Sequence, residues 1–160
     1  MAKYSAIAAQ DIAPNAAAVF TTTVIPPATP GLIFHSDGTG VFRLASPAKI
    51  MGREFTGCKC NRRLLFADYD VSIDGNIAVA TGGTAGEISM AIAVDGVIDL
   101  STVMQVTPAA AGEFSHISVD TIVRVPAICG CETISLVSTS DQTITLQNAS
   151  ITIPGAQIKL

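Results

Sequence analysis

The strongest constraint on the fold is a two-residue alternation of apolar and polar side chains that recurs along the chain. In YDVSIDGNIAV (69–79) the odd-numbered residues are apolar, apart from one glycine. A period of two places these side chains on one face of an extended strand, whereas a helix needs a period of 3.6. The segment is therefore predicted to be a half-buried antiparallel strand.

Three aspartate-glycine dipeptides mark possible turns: Asp37-Gly38, Asp74-Gly75 and Asp95-Gly96. The apolar parity is the same on both sides of Gly75, which favours one long strand bent or bulged there over a hairpin, although the hairpin stays an alternative. The alternating run Ile88–Val94 instead stops at Asp95-Gly96 and is followed by Val97-Ile98. A two-residue hairpin turn is predicted at Asp95-Gly96.

Further strands are predicted from the same patterning. They are Ala17–Ile25, Gly31–His35 paired with Gly40–Leu44, Ile117–Val125 ended by Pro126, Glu132–Ser138, and a last strand after Ile144. In the last strand the apolar parity changes from even to odd, which predicts a β-bulge near Gln147-Asn148. About eight regularly spaced strands predict an all-β fold, an antiparallel jelly-roll sandwich. We expect residues 1–12 to form an N-terminal arm and residues 13–160 the jelly-roll domain.

The composition predicts self-association. Of 160 residues, 49% are hydrophobic and only 14% are charged, whereas about 25% are charged in an average soluble domain. No apolar run approaches the roughly 20 residues of a membrane span. Because monomers seldom expose large apolar patches, part of the surface is expected to be covered by other copies of the chain.

Charge and the N-terminus exclude several other classes. The net charge is −4, so nucleic acid is not an expected partner. The first residues lack the apolar core of a secretion signal, so synthesis in the cytoplasm without a signal peptide is expected. No pattern indicates a cofactor.

The chain has two Cys-x-Cys pairs, Cys58 with Cys60 and Cys129 with Cys131. Zinc sites usually use a longer spacing within a pair, and a disulfide between such close cysteines would be strained. Structural thiols, disulfides between the pairs or between subunits, and a metal site all remain open, in that order of preference.

A basic cluster stands out in one segment. Five of the nine Lys and Arg residues lie there with one acidic residue, Glu54: Lys49, Arg53, Lys59, Arg62 and Arg63. The segment has poor strand periodicity and contains two glycines, so it is predicted to be an exposed loop. It could dock on an acidic partner, but a solvated loop that maintains solubility is favoured.

No catalytic pattern is present. The two histidines, His35 and His116, belong to no nucleophile or metal motif and are expected to be structural. The Asp-Gly dipeptides lack calcium-loop spacing, so turn chemistry explains them better. The protein is not expected to be an enzyme.

Several segments together resemble small jelly-roll proteins encoded in phages and prophages of Firmicutes, similar to trimeric domains of the tumour-necrosis-factor and C1q type. They are GLIFHSDGTGVF (31–42), YDVSIDGNIAVATGG (69–83), Ile88–Val94, VTPAA (106–110), VRVP (123–126) and TLQNA (145–149). The resemblance covers residues 15–155 and carries no catalytic signature.

This resemblance implies a homotrimer on the virion surface, either a capsid decoration or a head-fibre protein that binds the major capsid protein or another virion protein. The expected anchors are Met1–Ala13 or the basic segment. The alternative is a receptor- or glycan-binding tip domain of a tail fibre or surface adhesin, although the chain has no Trp and only two Tyr residues as aromatic anchors.

Overall fold

A computed structural model of the protein describes residues 1–46, 66–126 and 131–159, with the backbone alone at 158 and 159. The strands are β1 (Ala2–Ala6), β2 (Gln10–Ile12), β3 (Thr22–Ile25), β4 (Ile33–His35), β5 (Phe42–Ala45), β6 (Phe66–Val79), β7 (Ile88–Val94), β8 (Val97–Ile98), β9 (Met104–Val106), β10 (Ser115–Pro126), β11 (Cys131–Ser138), β12 (Ile144–Ile153) and β13 (Ala156–Lys159). A short 3-10 helix, Leu100–Thr102, precedes β9.

The strands form two antiparallel sheets. Sheet I has the order β10-β6-β12-β1-β3, with β13 also paired to β6 and β2 to β12. Sheet II has the order β4-β5-β11-β7-β8, with β9 also paired to β7. The chain passes from sheet to sheet between β5, β6 and β7 and again between β10, β11 and β12. This is the jelly-roll sandwich that the sequence predicts.

The inner faces of the two sheets share one hydrophobic core. The odd-numbered residues predicted to face inward on β6, among them Tyr69 and Ile77, are fully buried. Tyr4 of sheet I packs edge-on against Phe42 of sheet II, with ring centroids 5.0 Å apart. Aromatic contacts of this kind stabilise the core beyond what the burial of their apolar area contributes.

We name the two ends of the sandwich after the first and last residues of the long strand β6, Phe66 and Val79. At the Phe66 end, Phe66 pairs with Pro126, and Cys131 pairs with Ala45. At the Val79 end, Val79 pairs with Ile144. The distance along β6 is about 40 Å at 3.3 Å per residue.

Two predictions are confirmed: one long strand continues through Gly75, and the last strand has a β-bulge near Gln147-Asn148. β6 continues through Gly75 without a turn. Opposite it, β12 pairs Gln147 with Asn76 and Ser150 with Asp74, so β12 carries one extra residue there. Asn148 has a φ of 50°, as a β-bulge of this kind requires.

The hairpin at Asp95-Gly96 is also confirmed. Val94 pairs with Val97, and both turn residues have positive φ, 49° and 78°. These are the dihedral signs of a type I′ turn, whose twist matches that of the flanking strands.

The expectation of an N-terminal arm over residues 1–12 is wrong. Ala2–Ala6 forms β1 between β12 and β3, and Gln10–Ile12 forms β2 on β12. Ala2, Tyr4 and Ala6 alternate inward and are buried, which gives this segment a reason to pair. The alternation is hard to recognise in the sequence, because the inward residues Ala2 and Ala6 are small and only weakly hydrophobic.

Two other expectations need correction. The strand predicted over Ala17–Ile25 is shorter, Thr22–Ile25, although Ala17 and Phe20 make isolated bridges. The described residues also form more strands than the predicted eight, because short segments such as β2, β8 and β13 pair along the long ones.

Candidate functional site

Most of the site residues predicted from the sequence lie outside the described residues. These are Lys49, Arg53, Lys59, Arg62 and Arg63 of the basic segment and the cysteines Cys58, Cys60 and Cys129. Both segments that carry them, 47–65 and 127–130, join the described part of the chain at the Phe66 end.

Cys131 is the cysteine that the structure describes. It is a free, half-buried thiol at the start of β11. It lies near Tyr69, whose hydroxyl donates a hydrogen bond of 2.6 Å to the Ala45 carbonyl oxygen. Burial, and to a smaller extent the charge of the Cys131 thiolate, raise the pKa of Tyr69 to about 12. Within the described ranges, no three His, Cys, Asp or Glu side chains are grouped so as to hold a metal ion.

The two histidines lie at opposite edges of the sandwich. His116 is exposed on β10, whereas His35 ends β4. The His35 ring stacks on Phe42 with centroids 4.0 Å apart, and its nitrogens lie 3.1 Å from the Val41 carbonyl oxygen and 3.0 Å from that of Phe20. His35 therefore connects three chain segments and has a structural position.

The outer face of sheet I carries carboxylates that are held by the neighbouring strands. Arg124 binds Asp68 through two parallel hydrogen bonds of 2.8 and 3.0 Å, and these bonds raise the pKa of Arg124. Three further pairs are Ser72 with Asp120, Ser150 with Asp74, and Gln157 with Asp70. Such cross-strand pairs fix the register of the sheet and leave this face polar, apart from Ile122 of the edge strand β10, which lies between Asp120 and Arg124.

Apolar side chains are exposed instead along the two lateral edges of the sandwich. The β10 side is formed by β10, β9 and the 3-10 helix, which lie together, and by β8, which pairs with β7 at the edge of sheet II. There Leu100 is 80% exposed and Ile122 58% exposed. The β3 side is formed by β3, β4 and the 36–39 turn, where Val24 and Phe34 are about half exposed.

The long strand β10 is also an edge. Within the described part of the chain it pairs only with β6, along 12 residues. An edge strand of this length presents a row of unpaired backbone groups that natural proteins usually cover.

A polar groove of about 560 Å³ lies at the Val79 end. It is lined by residues 84–87, Ser89 and 139–142. Sequence reasoning missed it, because its two walls are at least fifty residues apart in the chain. The lateral edges were missed for a related reason: an exposed Leu in a turn has no distinctive pattern.

Comparisons with known proteins add little. No family model and no curated protein matches the chain. Among solved structures, CBM35 from Cellvibrio japonicus Abf62 is similar over 95% of this chain and 96% of that chain, with 12% identity and a TM-score of 0.33. A likeness at this level carries no argument about function. In the described ranges, no helix has the length and apolarity needed to cross a membrane.

Proposed function

We propose that the protein is a non-catalytic virion protein of a phage, a homotrimer of the tumour-necrosis-factor and C1q type that attaches to the outside of the capsid. The observation that carries the self-association is the concentration of exposed apolar side chains on two different lateral sides. Monomeric domains seldom leave such side chains uncovered.

The two sides suit a heterologous contact, in which the β10 side of one copy meets the β3 side of the next. Leu100 and Ile122 would pack against Val24 and Phe34 of the neighbour, and the unpaired edge of β10 would be covered. A contact between two different patches closes into a ring when the rotation between copies permits it. Three copies satisfy both patches on each subunit.

Capsid attachment is supported by the sequence resemblance to phage and prophage jelly-roll proteins. The N-terminal segment is withdrawn as an anchor, since its strands belong to sheet I. The basic segment with Lys49, Arg53, Lys59, Arg62 and Arg63 remains the proposed docking element for the capsid.

The oligomeric state tests the first half of this proposal. Light scattering should give the mass of a trimer for the full chain. Leu100→Asp on the β10 side and Phe34→Asp on the β3 side should each weaken association about tenfold or more, because each buries a charge in an apolar contact. Ile7→Asp is the matched control: Ile7 is 67% exposed and lies on neither side. A monomeric wild-type protein would contradict the proposal.

Co-sedimentation with capsids that lack the protein tests the second half. Binding to such capsids is expected, and charge reversal at Arg62 and Arg63 should weaken it. Binding to host cells with none to capsids would favour the receptor- or glycan-binding tip domain instead.

A further inference from the structure

The polar groove at the Val79 end is open to solvent and has a volume of about 560 Å³. This lies within the range of roughly 300–1,000 Å³ that is usual for small-molecule sites. One wall is the loop that follows β6, and the other is the loop between β11 and β12.

Hydrogen bonds hold both walls in place. The Gln142 side-chain amide donates to the Thr84 carbonyl oxygen at 2.9 Å, and its oxygen accepts from the Thr84 backbone N–H at 3.1 Å. The Ser140 hydroxyl, 8% exposed, accepts from the Ser89 N–H at 2.8 Å and donates to the Ser89 carbonyl oxygen at 3.1 Å. A site formed in advance loses little conformational freedom when a ligand binds.

The groove still has unused hydrogen-bonding capacity. The hydroxyls of Ser89 and Thr139 lie 2.7 Å apart, so one donates to the other and the second O–H stays available. The exposed carboxylates of Glu87 and Asp141 make no hydrogen bond or ion pair with the described residues. The groove therefore offers several acceptors and few donors.

We propose that this groove binds an oligosaccharide that carries no acidic groups. Sugar hydroxyls supply O–H donors to the carboxylates, which can only accept, and their oxygens accept from the hydroxyl that stays available. Among described residues, the acidic side chains at this end are Asp11, Glu87, Glu113 and Asp141, with no Lys or Arg beside them. An acidic sugar would be repelled, because like charges are poorly screened at contact distance.

The proposal is independent of capsid attachment and is tested on the full chain. Calorimetric titrations should show binding of cellotetraose or of an N-acetylglucosamine tetramer, and none of a galacturonic acid tetramer. The double change Glu87→Ala with Asp141→Ala should weaken binding about tenfold or more, a loss of at least two hydrogen bonds. Glu113→Ala, at the same end but outside the groove lining, should change it less than about twofold.

Each contrary outcome overturns the proposal. These outcomes are no binding of either neutral tetramer at millimolar concentration, equal binding by the double variant, or preference for the acidic tetramer. Circular dichroism of the double variant establishes that its fold is kept. Sugar binding by a protein that fails to trimerise or to bind capsids would leave this inference standing and remove the proposed function.

Discussion

Two of the three Asp-Gly dipeptides, Asp74-Gly75 and Asp95-Gly96, have the same residues and opposite structural roles. Asp95-Gly96 closes the β7–β8 hairpin with both φ angles positive, and a Cβ on Gly96 would meet open space. Gly75 lies inside β6, where a Cβ would be 3.2 Å from the Ala149 Cβ and 3.2 Å from the Leu146 Cδ1. Gly96 is needed because the turn requires a positive φ, whereas Gly75 is needed because a side chain there would collide with Ala149 and Leu146.

The strand opposite each dipeptide explains the difference. Across from Gly75, the bulge in β12 places Asn148 and Ala149 between two register pairs, and the missing side chain makes space for them. Asp74 is held there by the Ser150 hydroxyl at 2.8 Å. Asp95 accepts instead from the Thr133 N–H at 2.7 Å and hydroxyl at 3.0 Å, which fixes the turn against β11. An Asp-Gly dipeptide therefore does not form a turn where the neighbouring strand continues to pair on both sides of it.

Deletion of Asn76 from β6 should have the largest effect. The apolar parity of β6 is continuous, so the deletion moves the following residues by one position, and either Ile77 and Val79 or the preceding Ile73 must leave the core. Each buried Ile or Val contributes roughly 1.5–3 kcal/mol, so we expect the protein to lose cooperative thermal unfolding. Circular dichroism during heating measures this.

Deletion of Asn148 is the matched control. It removes the bulge but leaves the segment ITLQASITI, in which every second residue is apolar, so the core side chains of β12 stay inside and the melting temperature should change by only a few degrees. An Asn76 deletion variant that melts as the wild type does would show that side-chain parity does not set the register.

The same substitution at Gly75 and at Gly96 distinguishes a steric requirement for glycine from a requirement for a positive φ. Gly75→Asn should cost about 3 kcal/mol of unfolding free energy, because the new side chain overlaps Ala149 and Leu146 in a packed layer. Gly96→Asn should cost about 0.5 kcal/mol or less, since Asn tolerates positive φ and the site is open. Urea unfolding of the two variants compares them directly. Equal losses would contradict the distinction.

The smallest effect concerns the charges beside the Asp95 turn. A hydrogen bond from the Glu132 carboxyl group, with smaller contributions from Thr133, lowers the pKa of Asp95. The same hydrogen bond, with burial and the charge of Asp95, raises the pKa of Glu132. The stabilisation by protonated Glu132 is complete below its unfolded pKa and is lost as pH rises through the higher folded value.

Glu132→Gln should remove this pH dependence. Glutamine keeps a donor toward Asp95 at every pH, so the variant should be more stable than the wild type at pH 7 by about 0.5 kcal/mol or less, because solvent screens the pair. At pH 4 the two proteins should be nearly equal. Thermal unfolding at both values checks this, and a larger gain at pH 4 than at pH 7 would reverse the assigned sign.

The candidate sites were less accessible to sequence reasoning than the fold. The predicted docking segment and three of the four cysteines lie outside the described residues. The groove joins Glu87 to Asp141, and the lateral edges join Leu100 to Ile122. None of these pairs has a local pattern, since each depends on which strands become neighbours.

The sequence by itself determined the features that depend on side-chain parity: the continuous β6, the Asp95-Gly96 hairpin and the bulge near Asn148. Parity is local, because successive side chains of a strand alternate whatever it pairs with. Only the tertiary structure decided that residues 2–6 fill the gap between β12 and β3, that Gly75 makes room for Ala149, and that two distant loops enclose a groove. Those outcomes depend on contacts between residues far apart in the chain, whose energies no local pattern contains.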